Sequence, residues 1–292
     1  MQMRKKIQAL ITEERVKFHK ALLSSVLTCN SNGVPSNADK AQHSSVLFAT
    51  SIYQQIGGEQ VESGELCAQS KGDSFELEVC HFLQATFSRL KHIRPGKWKV
   101  FQVRERTKNV IGMYAQYSHL SELASYLNAN RQMAAWLGNE YTVAPDVVVA
   151  RDLETDADLN RNSRIVDATS ALAADLREGE GKLPLLHASI SCKWTLRSDR
   201  AQNARAEALN MIRNRKGRQP HIAVVTGEPT PSRLASLALG TGDIDCVYHF
   251  ALYELQKAVA DSGNDEALNM LNTMIEGKRL KDISDLPLDL AV

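Results

Sequence analysis

Apolar residues recur at a helical period near the start of the chain. Ile7, Leu10, Ile11, Val16, Phe18, Leu22 and Leu23 fall roughly on one face and predict a helix within 1–27. The period is lost over 28–45, where NSNGVPSNADKAQ is polar and rich in turn formers, so a surface loop is expected. Residues 46–56 predict a short helix, and 57–73 a second polar loop. A strong helix is expected to open with Asp73-Ser74 as its cap and to run to about His92, with Phe75, Val79, Phe82, Leu83 and Leu90 inward. Arg94-Pro95-Gly96 ends it. A strand is predicted over 98–103, a helix over 117–137 and a buried strand over 141–150 (YTVAPDVVVA). Residues 154–180 are polar and charged and predict loop with weak helix.

The period then shortens to two. Ala188, Ile190 and Cys192 alternate with Ser189, Ser191 and Lys193, as in a half-buried strand. The chain turns at Ser198-Asp199 into a helix carrying Arg200, Asn203, Arg205 and Glu207. HIAVVT at 221–226 predicts another strand, and EPTPSR at 228–233 a rigid turn feeding a helix that ends near Gly240. Residues 244–255 are apolar, with helix to about Ala260, a further helix near 266–275 and a short tail. No repeat, low-complexity tract or linker interrupts this order. The expected fold is α/β: a single domain spanning 1–292, with a mixed central β-sheet flanked by helices.

Composition narrows the class. An apolar fraction of 43% supplies a sizeable core, and a net charge of +1 argues neither for nor against a polyanionic partner. The local balance is sharper. Eight basic residues (Lys193, Arg197, Arg200, Arg205, Arg213, Arg215, Lys216, Arg218) face only Asp199 and Glu207 between 193 and 218, the footprint of a nucleic-acid contact. Five scattered cysteines with no CxxC fit neither a disulfide framework nor a zinc site, so a reducing, cytoplasmic setting is expected. No signal peptide or long apolar span is visible, and no membrane association is expected.

Three positions carry candidate chemistry. Asp146 follows Pro145 inside an apolar strand, and a carboxylate there costs several kcal/mol unless a metal ion or an arginine compensates it. Lys193 follows 47 residues later on a strand end. A strand-borne Pro-Asp and a later strand lysine outline the PD-(D/E)xK nuclease pattern, in which an acid holds a divalent cation and a lysine sits beside the attacking water. The position two before the lysine is Ser191, not an acid. Glu207, seven residues after Arg200 and so on nearly the same helix face, offers a replacement. Arg197, Asp199 and Arg200 suit base edges: arginine donates bidentately to guanine, and aspartate accepts from cytosine. Taken alone, the same turn is also a capped helix start with solvated charges. Asp39 is a loop residue or a base reader, and Glu76 a first-turn carboxylate complementing a helix dipole.

The chain resembles the NgoMIV family of type II restriction endonucleases along essentially its whole length. The likeness is carried by SNAD ending at Asp39, HIRPG at 92–96, Pro145-Asp146, LLHASISCKWTLRSDRAQNAR, RNRKGRQPHI, EPTPSR ending at Arg233, GTGDIDCVYHFALYEL and GKRLKDISDLPLDLAV. It is weakest over 40–72. The family places serine where the usual acid stands and a glutamate on the next helix, as Ser191 and Glu207 do here. The resemblance implies a restriction-endonuclease core and Mg²⁺ as cofactor. It places the metal at Asp146 and the backbone carbonyl of Cys192, with Glu76 and Glu207 acting directly or through water. Lys193 would position or help deprotonate the attacking water. Arg197, Asp199 and Arg200 would read a central CCGG. Arg233, Asp39 and Gln69 would contact the outer bases, Gln69 from the minor groove. A GCCGGC-type palindrome in double-stranded DNA, cut to 5′-phosphate and 3′-hydroxyl ends, follows. So does a homo-oligomer, a dimer at least and a tetramer in the family. A structure-selective repair nuclease would share the core, and a non-cleaving DNA-binding regulator would keep Arg197, Asp199 and Arg200 without needing Asp146, Lys193 and Glu207 together.

Overall fold

A computed structural model describes residues 8–58, 68–104, 110–130, 132–133, 144–240 and 242–292. Helix α1 (Leu10–Ser25) buries Phe18 and Leu22, and α2 (His43–Gln55) begins three residues before the expected start. Helix α3 (Ala68–Thr86) opens five residues earlier than the Asp73-Ser74 cap predicted, and a 3₁₀ segment (Phe87–His92) completes the element. Strand β1 (Trp98–Gln102) follows, then α4 (Ser118–Ala129) and β2 (Val147–Arg151). The expected strand over 141–150 is therefore shifted: Asp146 stands one residue before β2, and 141–143 lie outside the described residues. Pro145 explains the late start, because it has no N–H to give a ladder. The ladder still reaches Asp146 by its carbonyl, which accepts from the Val103 N–H at 2.9 Å.

Strand β3 (Leu185–Lys193) leads to α5 (Ser198–Asn214), and β4 (His221–Thr226) to α6 (Pro231–Ala238). Strand β5 (Cys246–His249), α7 (Leu252–Asp261), α8 (Asp265–Glu276) and β6 (Leu280–Asp282) close the chain, with single helical turns at Asp156–Leu159 and Leu286–Asp289. The six strands lie in the order β1-β2-β3-β4-β5-β6. The β1/β2 and β2/β3 pairs are antiparallel, and β3/β4, β4/β5 and β5/β6 are parallel, so the sheet is mixed as expected.

Register decides where the chemistry falls. Val147 pairs with Ile190 and Val148 with Ser189, so the next step out sets Asp146 beside Ser191. In the parallel pair, Lys193 lies opposite Thr226, which puts the ends of β3 and β4 level. Open parallel strands carry their sites outside their carboxyl ends. Helix α5 packs over the Ser189 and Ser191 face, where Ala204 and Ala208 let it approach closely. Helix α3 contacts β1, β2 and β3. Three buried histidines, His19, His187 and His249, bond to the carbonyls of Phe250, Leu290 and Glu228. Burial pushes all three below the usual range, His187 and His249 to about 4, so they are neutral structural groups. The four described cysteines are unpaired and buried, and no helix among the described residues is long and apolar enough to cross a membrane.

Gly227 sits just past β4, where the chain passes under Trp194. A Cβ there would come within 2.5 Å of the indole and 2.9 Å of the Trp194 carbonyl. Trp194 cannot step aside, because Phe75 and Phe250 flank it at 5.0 and 5.5 Å. Gly227→Ala is expected to destabilise the protein by about 1–3 kcal/mol, the usual cost of overpacking. Chemical denaturation would read this as a lower midpoint; an unchanged midpoint would mean that Trp194 repacks freely.

Candidate active site

A cleft of about 540 Å³ opens at the ends of β3 and β4. Its walls come from the 28–40 loop, the first half of α3, the β3–α5 connector, α5 itself and Arg233. Among the described residues, six cations (Lys40, Lys71, Lys193, Arg197, Arg200, Arg233) and four carboxylates (Asp39, Asp73, Glu76, Glu207) line it, and no histidine does. A groove that mixes arginine and lysine with acids suits a phosphodiester together with a cation.

Asp146 does not itself line the cleft but lies against Cys192 and Lys193, which do. It is 5% exposed, and its Oδ2 accepts from the Cys192 N–H at 2.7 Å, the Lys193 ammonium at 3.1 Å and the Ser191 hydroxyl at 3.4 Å. Its buried cationic partner is thus lysine, where an arginine was the structural alternative. Burial by itself would depress the Lys193 ammonium; the Asp146 and Glu207 carboxylates and the bond to Asp146 outweigh it and raise the group. The lysine is therefore charged and close to both acids.

Glu207 lines the cleft and also a cavity of about 10 Å³ that it shares with Ser191. The space holds one water at most. A second carboxylate at 191 would lie beneath α5 against Glu207, with like charges and no room, which accounts physically for serine at that position. Glu76 corrects the expectation of a first-turn carboxylate. It lies in the third turn of α3, is buried, and accepts from the Gln102 side-chain amide at 3.3 Å. A buried mid-helix acid facing the cleft does not serve the helix dipole. Among the described residues no three His, Cys, Asp or Glu side chains converge closely enough to cage a metal by themselves.

The readers expected from the sequence fall on two walls. Arg197 is the N-cap residue of α5 and Arg200 lies in its first turn; both are exposed, and Arg200 donates to the Thr195 hydroxyl at 3.3 Å. The N-cap residue Arg197 makes no side-chain capping bond, and the side chain of Ser198, in the turn expected to cap the helix, lies outside the described residues. Asp199 is exposed on the same turn but does not line the cleft. Asp39 pairs with Arg233 across the cleft, and that hydrogen bond, the Ala41 N–H and nearby Arg197 hold its carboxyl below the usual range. The 28–40 segment is not a plain surface loop. Asn37 is buried and donates to the Gly227 carbonyl at 2.8 Å, and Trp194 donates to the Ser36 hydroxyl at 3.2 Å. Gln69 lies in the first turn of α3, and its side chain lies outside the described residues.

The basic run of 193–218 is split. Lys193, Arg197 and Arg200 line the cleft, and Arg205 packs against Gly240. Arg213, Arg215, Lys216 and Arg218 sit at or beyond the far end of α5, about 24 Å along at 1.5 Å per residue. Arg215 turns back onto the Ile212 carbonyl, and the Lys216 N–H donates to the Gln116 carbonyl at 2.9 Å. Lys71, Asn203 and Gln102, which carry no sequence signal, join the site through tertiary packing.

A buried aspartate paired with a strand-end lysine beside an arginine-lined cleft matches the arrangement expected of the restriction-endonuclease class. The NgoMIV restriction enzyme family model matches residues 18–292. The chain is also 54% identical over 284 residues to the type II restriction enzyme NgoMIV of Neisseria gonorrhoeae, covering 97% of this chain and 99% of that one. The chain belongs to the NgoMIV restriction enzyme family and is a type II restriction endonuclease. Among solved structures it is similar to a complex of the restriction endonuclease PspGI with substrate DNA, at a TM-score of 0.35 and 13% identity over 96% of this chain and 90% of that one.

Proposed function

We propose that this endonuclease works as one domain over 1–292 and cleaves both strands of a GCCGGC palindrome in a Mg²⁺-dependent reaction, leaving 5′-phosphate and 3′-hydroxyl ends. The observation that carries the reading is the contact of Asp146 with Lys193 and the Cys192 amide, both beside the cleft. The donors present fit a hard cation: carboxylates and a backbone carbonyl, with no histidine among the cleft-lining residues. Asp146 and the Cys192 carbonyl would hold the ion, with Glu76 and Glu207 directly or through water. When bound, the ion supplies charge stabilisation at the attacking and leaving oxygens. Lys193, an ammonium beside Asp146, donates to the attacking water or the scissile phosphate. Water attacks phosphorus in line, its proton passing to bulk water, and the 3′ oxygen leaves, taking a proton from bulk water to end as the 3′-hydroxyl. Arg197, Asp199 and Arg200 read the CCGG core, while Arg233, Asp39 and Gln69 read the outer bases. A palindrome cut alike on both strands calls for a two-fold dimer, and the family likeness extends this to a tetramer acting in the cytoplasm. Digestion of a mapped plasmid with Mg²⁺, followed by end sequencing, tests the reading. Discrete ends within GCCGGC support it; a broad ladder overturns it.

Arginine-to-lysine substitution separates reading from simple attraction. Lysine keeps the charge and loses the planar fork. Arg197→Lys and Arg200→Lys should each lose about 1–3 kcal/mol of discrimination for CCGG while binding non-specific DNA almost normally. Equal loss on cognate and non-specific duplexes would make both residues phosphate contacts.

A further inference from the structure

The chemistry proposed above leaves a fully buried acid beside the cleft unused. Glu228 lies between β4 and α6 and is fully buried. A carboxylate there costs several kcal/mol unless it is satisfied, so its partners show what it holds. Oε2 accepts from the Leu196 N–H at 2.9 Å, and Oε1 from the Thr230 N–H at 3.1 Å. Leu196 immediately precedes Arg197, and Thr230 is the N-cap residue of α6, three residues before Arg233. The Arg233 guanidinium stands 3.8 Å from Oε2 while its other nitrogen holds Asp39. His249 does not compete for the carboxylate: its Nε2 donates to the Glu228 carbonyl and its Nδ1 accepts from the Ala251 N–H, each at 3.1 Å. Burial raises the Glu228 carboxyl, against the two amides and Arg233. One carboxylate therefore spans two backbone segments, one leading to Arg197 and Arg200, the other to Arg233. A separate acceptor for each amide would satisfy both without joining them; the two oxygens of one carboxylate tie them together.

We infer that Glu228 is a positioning residue for sequence discrimination, fixing the inner-reading turn at Arg197–Arg200 in register with the outer-reading pair Asp39–Arg233. The inference rests on the reading roles proposed above. Reading of the inner and outer base pairs is then coupled, and loss of Glu228 blurs both at once.

The test uses the full-length enzyme and Glu228→Gln, which keeps the shape but replaces one acceptor by a donor, so one amide is released. Binding and cleavage are compared on a cognate duplex, a duplex altered at an inner pair, a duplex altered at an outer pair, and non-specific DNA. Discrimination should fall about tenfold at inner and outer positions alike, the scale of one base contact. The loss on the cognate duplex should appear in KM rather than kcat. Non-specific affinity and its salt slope should not change. Loss confined to the outer position, an equal loss on all four duplexes, or unchanged discrimination would each overturn the inference. If Glu228→Gln fails to fold, Glu228→Asp keeps the charge but is one methylene too short to reach both amides. It should show the same two-position loss, and unchanged discrimination there also overturns the inference. Arg197→Lys and Arg233→Lys serve as controls. If they leave discrimination intact, the reading roles themselves fail; if they lower it while the Glu228 variants do not, only the coupling fails.

Discussion

Asp146→Asn is expected to abolish cleavage while leaving specific binding in Ca²⁺ largely in place. The substitution keeps the volume of the side chain and removes its charge. Asp146 Oδ2 gathers the Cys192 N–H, the Lys193 ammonium and the Ser191 hydroxyl. An asparagine can still accept from the Cys192 amide, so the junction of β2 with β3 should hold. A cation held there would, however, lose the carboxylate that meets Cys192 and Lys193. The fall in kcat should be about 10⁴-fold or more, because a bound ion contributes several kcal/mol to charge stabilisation and each 1.36 kcal/mol is tenfold. Removing one member of a buried pair also leaves the Lys193 charge uncompensated, so a melting curve belongs beside the assay. A folded variant that binds cognate DNA in Ca²⁺ and does not cut in Mg²⁺ is the expected result. Normal cleavage by that variant would remove Asp146 from the metal site.

The strand pair beside the cleft was legible in the sequence because its signals are local. The run 221–226 is apolar, bounded by turn residues, and folds as β4 over those positions. The alternation over 188–193 sets Ser189 and Ser191 on one face, and the cavity they share bears this out. What escaped depends on tertiary context. Residues 68–73 (AQSKGD) contain glycine and polar groups and resemble a loop, yet they form the first turns of α3. That error moved Glu76 to a helix start and so gave it the wrong role. Strand β6 is three residues long and has no signal apart from its pairing with β5. Glu228 sits in EPTPSR, which reads as a rigid turn. Nothing local shows that the Leu196 amide, 32 positions away, will fold onto its carboxylate. Asn37 is the same case, a polar loop residue buried only because the Gly227 carbonyl meets it. Periodicity places elements, whereas the coupling of one loop to another is written in long-range hydrogen bonds.

Those couplings make the position of the relocated acid testable. Glu207 comes within electrostatic reach of Lys193, lines the cleft, and shares a cavity of about 10 Å³ with Ser191. If Glu207 supplies the charge that the strand position lacks, Glu207→Ala should lose cleavage by about 10²- to 10⁴-fold, the range for removing a group that acts in the transition state. Ser191→Ala removes only a hydroxyl 3.4 Å from Asp146, a long neutral-to-charged contact. Its loss should cost about 1.5 kcal/mol or less, roughly tenfold at most. The two variants differ in what they leave behind. Ser191→Ala keeps Asp146 bound to the Cys192 amide and to Lys193. Glu207→Ala removes one of the two carboxylates that hold the Lys193 ammonium above its usual range, so the lysine should become more easily deprotonated. Below its folded pKa that lysine stays charged, and the loss of activity near neutral pH must then come from the missing carboxylate rather than from a neutral lysine. Single-turnover rates on a cognate duplex, measured at neutral pH and again near pH 9, separate the two causes. A loss that is equally large at both pH values assigns it to the carboxylate. A loss that appears only at the higher pH assigns it to Lys193. If Ser191→Ala proves the more damaging change, the acid is not at Glu207, and the serine beneath α5 holds something the enzyme cannot work without.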